Sequence, residues 1–93
     1  MSIFSQIGIR IIREQELIIG PIAWDEAKKV PGLSVVNQRN GEIVMGGDEK
    51  ETVNKLVAQY EKLFGRASRE VCREAVQDLI AELPREQVPA SLA

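Results

Sequence analysis

A chain of 93 residues with a formal net charge of −2 makes one small domain, and it lacks the clustered basic excess that phosphate neutralisation in nucleic-acid binding requires. With no histidine and one cysteine, it can hold no His general base, no internal disulfide and no His- or Cys-based zinc site. Hydrophobic content of 44% and charge of 28% belong to a folding chain, and with only Phe4, Trp24, Tyr60 and Phe64 as aromatics its core must be aliphatic.

The first segment, 2–19, contains seven isoleucines. Strand propensity pulls it towards β, and Ile7, Ile9 and Ile11 alternate. As a helix, it gathers Phe4, Ile7, Gly8, Ile11, Ile12, Ile18 and Ile19 on one broad face and leaves Arg10, Arg13 and Glu16 outside. A hairpin would have to turn within "REQE", which offers no Gly, Asn, Asp or Pro. The segment is therefore expected to be helical. It has no basic leader region or small-residue cleavage site, and its uncharged stretch is too short to span a membrane, so the cytoplasm is the expected compartment.

A short helix is expected next in "GPIAWDEAKKVPG". Pro21 suits a first turn, Lys28 and Lys29 suit a last one, and Pro31-Gly32 stops it. Two β-branched runs then flank Asn40-Gly41, the signature of a two-residue type I′ turn, which places strands near 33–38 and 42–46. An isolated hairpin is marginal in water and must lie on helices or pair with another chain. Asp48 followed by Glu51 reads as a helix N-cap, opening a helix over 49–64 with Val53, Leu56, Val57, Tyr60, Leu63 and Phe64 on one face. Gly65 marks a break, a further helix runs over 66–83, and the tail 84–93, with two prolines, is expected to fray.

Two stretches look alike at an offset of 45, "ELIIGPIAWDEAKKV" (16–30) and "EKLFGRASREVCREA" (61–75). Of the 15 aligned pairs only Glu16/Glu61 and Gly20/Gly65 are identical, so the likeness is expected from any two amphipathic helices meeting at an apolar–Gly junction. Two copies also fall short of the sustained period of a repeat array.

The last helix carries the most suggestive pattern. Ser68, Val71, Cys72, Ala75, Val76, Leu79 and Leu83 form an apolar arc, flanked by Arg66, Arg69 and Arg73 on one side and Glu70, Glu74 and Asp78 on the other. Segregated charge beside an apolar seam suits a pairing helix, against the plainer reading of a core helix with solvated flanks. Cys72, central in the arc, is expected to be a buried small hydrophobe rather than a reactive thiolate. Trp24 is placed on the exposed side of the short helix as an interaction anchor. "MGGDEKE" is better explained by capping than by anion binding, since three acids crowd it.

The expectation is thus an α+β fold of about four helices and one two-stranded hairpin, a single domain over 1–83 with a tail over 84–93. No catalytic, cofactor or metal residue is assigned. The expected role is a non-enzymatic protein-interaction or regulatory module whose partners are itself, as a homodimer, and a second protein, with no nucleic acid and no membrane span. Its interaction candidates are Trp24, Arg66, Arg69, Glu70, Arg73, Glu74 and Asp78. The alternative is a small-ligand sensor with a pocket between the N-terminal segment and Gly46-Gly47.

Overall fold

Helix wins over strand in the isoleucine-rich first segment. In the computed structural model, which describes residues 2–93, Ile3–Ile19 is a single helix, α1, capped by Ser2 Oγ accepting from the Ser5 N–H at 3.1 Å. The chain continues as α2 (Ile22–Ala27), β1 (Leu33–Asn37), β2 (Glu42–Met45), α3 (Glu49–Phe64), α4 (Arg66–Ala75) and α5 (Gln77–Ile80). The fold is α+β: helices packed with one antiparallel hairpin of β1 and β2. Asp48 caps α3 as its sequence implies, Oδ1 accepting from the Glu51 N–H at 3.2 Å.

The orientation of the helices follows from a few hydrogen bonds. Ser2 Oγ donates to Glu49 Oε2 at 2.6 Å, so α1 and α3 start at the same end. Gln15 Nε2 donates to the Ser68 carbonyl and Arg10 Nη1 to the Ala75 carbonyl, so α4 runs back along α1. Tyr60 Oη donates to the Ala23 carbonyl and Gln59 Nε2 to Glu26 Oε1, so α2 packs on the last turns of α3. Each long helix therefore carries the short helix that follows the other one.

The two look-alike stretches occupy equivalent places in this arrangement, as two helices meeting at an apolar–Gly junction would. Gly20 (φ 77°, ψ −162°) and Gly65 (φ 87°, ψ −177°) share a backbone conformation that only glycine adopts readily. Each donates its N–H to the carbonyl four residues back, Glu16 at 2.9 Å and Glu61 at 2.8 Å. Each then accepts from the N–H three residues on, that of Ala23 or Ser68. At the same offset, Ile7, Gly8, Ile11, Ile12 and Gln15 of α1 match Thr52, Val53, Leu56, Val57 and Tyr60 of α3, and all ten are buried. Residues 3–27 and 49–75 are two helix–Gly–helix halves about an approximate two-fold axis, with both glycine junctions at one end.

The hairpin covers α1, and glycine lets it approach closely. A Cβ on Gly8 would lie 2.5 Å from Met45 Cε and 2.9 Å from Ile43 Cδ1. The turn differs from the two-residue type I′ expected at Asn40-Gly41, and both strands end one residue short of the expected limits. Asn37 Oδ1 accepts from the Asn40 N–H at 3.1 Å and the Gly41 N–H donates to the Gln38 carbonyl at 3.2 Å, closing a four-residue loop. Gly41 alone in that loop has positive φ, 69°, and the Arg13 guanidinium packs where its Cβ would be. The Asn37 side chain satisfies the turn without forcing Asn40 into the left-handed region.

The helix expected over 66–83 breaks at Val76 (φ −120°, ψ 11°). Arg10 takes the Ala75 carbonyl that the break leaves open, and Val76 itself is fully buried. The tail does not fray. Leu92 and Pro89 are buried, Ser91 Oγ and N–H both donate to Asn54 Oδ1, Arg69 Nε donates to the Ser91 carbonyl, and Lys50 Nζ to the Glu86 carbonyl. Composition alone missed these anchors because they lie on α3 and α4, far away in sequence.

Candidate interaction surface

The charged flanks of α4 are largely engaged inside the chain. Arg73 Nη1 pairs with Glu70 Oε2 at 3.3 Å, Asp78 Oδ1 with Arg10 Nη1 at 2.9 Å, and Arg69 holds the tail. Arg66 and Glu74 are exposed and make no ion pair among the described residues. The apolar arc faces inward, with Ser68, Cys72, Val76 and Leu79 buried against α1 and its neighbours. The seam that suggested a pairing helix has found its partner within the fold.

Trp24 lies in the core at 1% exposure, which corrects its placement on the exposed side of the short helix. The packing of α2 on the last turns of α3 turns that face inward. Cys72 is fully buried, and burial pushes its thiol up to about 11, with the Gln15 amide at 3.4 Å from Sγ acting the other way. Burial likewise raises the Tyr60 phenol, whose proton is committed to the Ala23 carbonyl at 2.6 Å. The Glu26 carboxyl sits below its ordinary range because it accepts from Gln59 at 2.8 Å and from Lys29 at 3.1 Å. These groups are tied into structural bonds, and none sits beside a nucleophile–base pair.

An open recess of about 700 Å³ lies between α1 and the hairpin loop, lined by Arg13, Glu14, Glu16, Leu17, Trp24, Gln38 and Arg39. The Trp24 indole N–H has no hydrogen-bond partner. A second groove of about 690 Å³ runs between the first turn of α1 (Ser2, Ser5) and β2 (Glu42–Met45). It is near the expected ligand pocket, although Gly46 and Gly47 do not line it. Among the described residues, no group of three or more Cys, Asp or Glu side chains is placed to hold a metal ion, and no helix is long and apolar enough to cross a membrane.

The most distinctive surface is one the sequence pattern does not single out. Among the described residues seven large apolar side chains are exposed, and five of them flank the two glycine junctions, Leu17 also lining the recess beside the hairpin loop. They are Leu17 (81% exposed) and Ile18 (62%) in the last turn of α1, Ile22 at the start of α2, and Leu63 and Phe64 (40%) at the end of α3. Helical periodicity assigns Ile18, Leu63 and Phe64 to the core faces. The chain leaves each long helix at its glycine before a neighbour can cover that last turn. The legible signal is an apolar pair set directly against a Gly where the helix must stop. Together the five expose on the order of 500 Å² of apolar surface, the size of the largest patch on a typical monomer, which is often a functional one.

No family model, curated protein or solved structure matches the chain.

Proposed function

We propose that this protein is a small, non-enzymatic interaction module of the cytoplasm, and that it docks onto another protein through the apolar end built by the Gly20 and Gly65 junctions. The observation that carries the reading is the concentration of Leu17, Ile18, Ile22, Leu63 and Phe64 at that end. Scattered single apolar residues are ordinary on a protein surface, whereas a contiguous group loses water-exposed area only when another surface covers it. At about 25 cal/mol per Å², covering such a patch supplies a driving force on the order of 10 kcal/mol before the costs of association are subtracted.

A photo-reactive phenylalanine analogue placed at Leu63, and separately at the exposed Glu74 on α4 as a control, tests the reading in cells that express the protein. Protein adducts concentrated at position 63 support it. Equal adducts at both positions, or none at 63, overturn it.

A second reading, a small-ligand sensor, draws on the recess between α1 and the hairpin loop, where Arg13 and Arg39 stand beside Trp24. Its volume falls in the range of small-molecule sites. A metabolite that raises the melting temperature of the protein, and fails to do so for Arg39→Ala, is the result that reading requires.

A further inference from the structure

We infer that the occupant of the apolar end is a second copy of this chain, seated by a two-fold axis so that the first half of each copy lies on the second half of the other. The inference rests on the reading of that end as a docking surface and adds its partner and its geometry.

The halves present the same kind of end with opposite charge at the rim. Beside Leu17, Ile18 and Ile22 stand Glu16 and Asp25; beside Leu63 and Phe64 stand Lys62 and Arg66. None of these four charges makes an ion pair among the described residues. The exceptions to the polarity are Arg13, whose guanidinium packs over the hairpin at Gly41, the half-buried Glu61, and the exposed Glu70, which stands where Asp25 stands in the first half and is paired with Arg73 at 3.3 Å.

A two-fold contact is isologous: whatever touches from the first copy is touched in the same way from the second. With unlike rims on the two halves, a half-one-to-half-two arrangement sets Glu16 and Asp25 against Lys62 and Arg66 twice over. Placing like halves together sets acid on acid and base on base. The approximate two-fold inside each chain matches the shapes, because both halves end in the same helix–Gly–helix bend. Two such ends bury on the order of 1,000 Å² of apolar surface plus a charged rim, which reaches the lower range of specific interfaces.

Charge swapping separates this geometry from any other dimer. Glu16→Lys with Asp25→Lys makes both rims basic, and Lys62→Glu with Arg66→Glu makes both acidic. At low salt each double variant alone should self-associate roughly tenfold more weakly than wild type, with the loss shrinking as salt screens the rim. The two mixed in equal amounts should recover wild-type affinity as a heterodimer, because each then offers the other its complement at both contacts. Sedimentation equilibrium reads all three, with circular dichroism melts confirming that each variant is folded. A monomeric wild type overturns the inference. So does a dimer indifferent to the swaps, or a mixture that stays weak. A monomeric wild type whose position 63 still cross-links to a different protein leaves the docking surface standing and gives it another occupant.

Discussion

Gln15 and Tyr60 hold interchangeable hydrogen bonds across the core. Gln15 Nε2 donates to the carbonyl of Ser68 at 3.1 Å, and Tyr60 Oη donates to the carbonyl of Ala23 at 2.6 Å. Adding 45 to 15 gives 60 and adding 45 to 23 gives 68, so each half reaches across with the same position to grip the same position of the other. The side chains differ in kind, an amide and a phenol, and the bond is kept. Each pins the turn that follows a glycine junction, and together they fix the spacing of the two junctions at the apolar end.

Removing either bond should loosen that end. Tyr60→Phe keeps the ring and loses the hydroxyl; Gln15→Met keeps the length and loses the amide. Because each carbonyl also lies within a helix, the expected cost is the net value of one hydrogen bond, about 0.5–1.5 kcal/mol for each variant. Urea titrations measure it, and two variants as stable as wild type would show that the bonds contribute nothing.

The turn makes an asymmetric forecast. Gly41→Ala should destabilise the protein by about 1–2 kcal/mol, because Gly41 has φ 69° and the Arg13 guanidinium fills the space of its Cβ. Asn40→Val should cost less than about 0.5 kcal/mol, since Asn40 is not in the left-handed region and only its backbone N–H is used. Thermal melts that rank the two variants the other way would restore the type I′ turn.

Glu26 should give stability a dependence on acid. Its folded carboxyl titrates below the ordinary value of 4.5, chiefly through the Gln59 amide and then through Lys29. A depressed carboxyl adds stability that is fully present above its unfolded value and is lost as pH falls through the folded one. Melting temperatures should therefore drop as pH is lowered below about 4.5, and Gln59→Leu should flatten part of that drop. Identical pH profiles for the two proteins would remove Glu26 from the account.

Cys72 should be inert in the folded protein. It is fully buried with a thiol pushed up to about 11, so disulfide reagents at mild alkaline pH should modify it only as fast as the protein opens. Labelling that rises sharply in urea fits this burial. Rapid stoichiometric labelling of native protein contradicts it.

Much of the fold was legible because local chemistry and tertiary packing agree. The missing turn residues in "REQE" chose helix for α1, Asp48 capped α3 where expected, and Gly65 ended it. What was not legible depends on partners remote in sequence. Val76 breaks its helix where Arg10 reaches the Ala75 carbonyl, and the tail is held by Asn54 and Arg69. Trp24 is buried because α2 packs on α3, a placement that a six-residue helix does not encode by itself. The candidate surface was hidden for a related reason. Periodicity marks Ile18, Leu63 and Phe64 as apolar-face residues, and only the positions of the neighbouring helices leave them uncovered.

The central claim is that two copies of the chain meet at this end, and a dilution series of amide NMR spectra tests it most directly. As the concentration of labelled protein rises, the account predicts shifts confined to residues 16–25 and 62–66, with the outer flank of α4 around Glu74 unmoved. Spectra that do not change with concentration, or shifts centred on Val36 and Val44 of the hairpin, would contradict it.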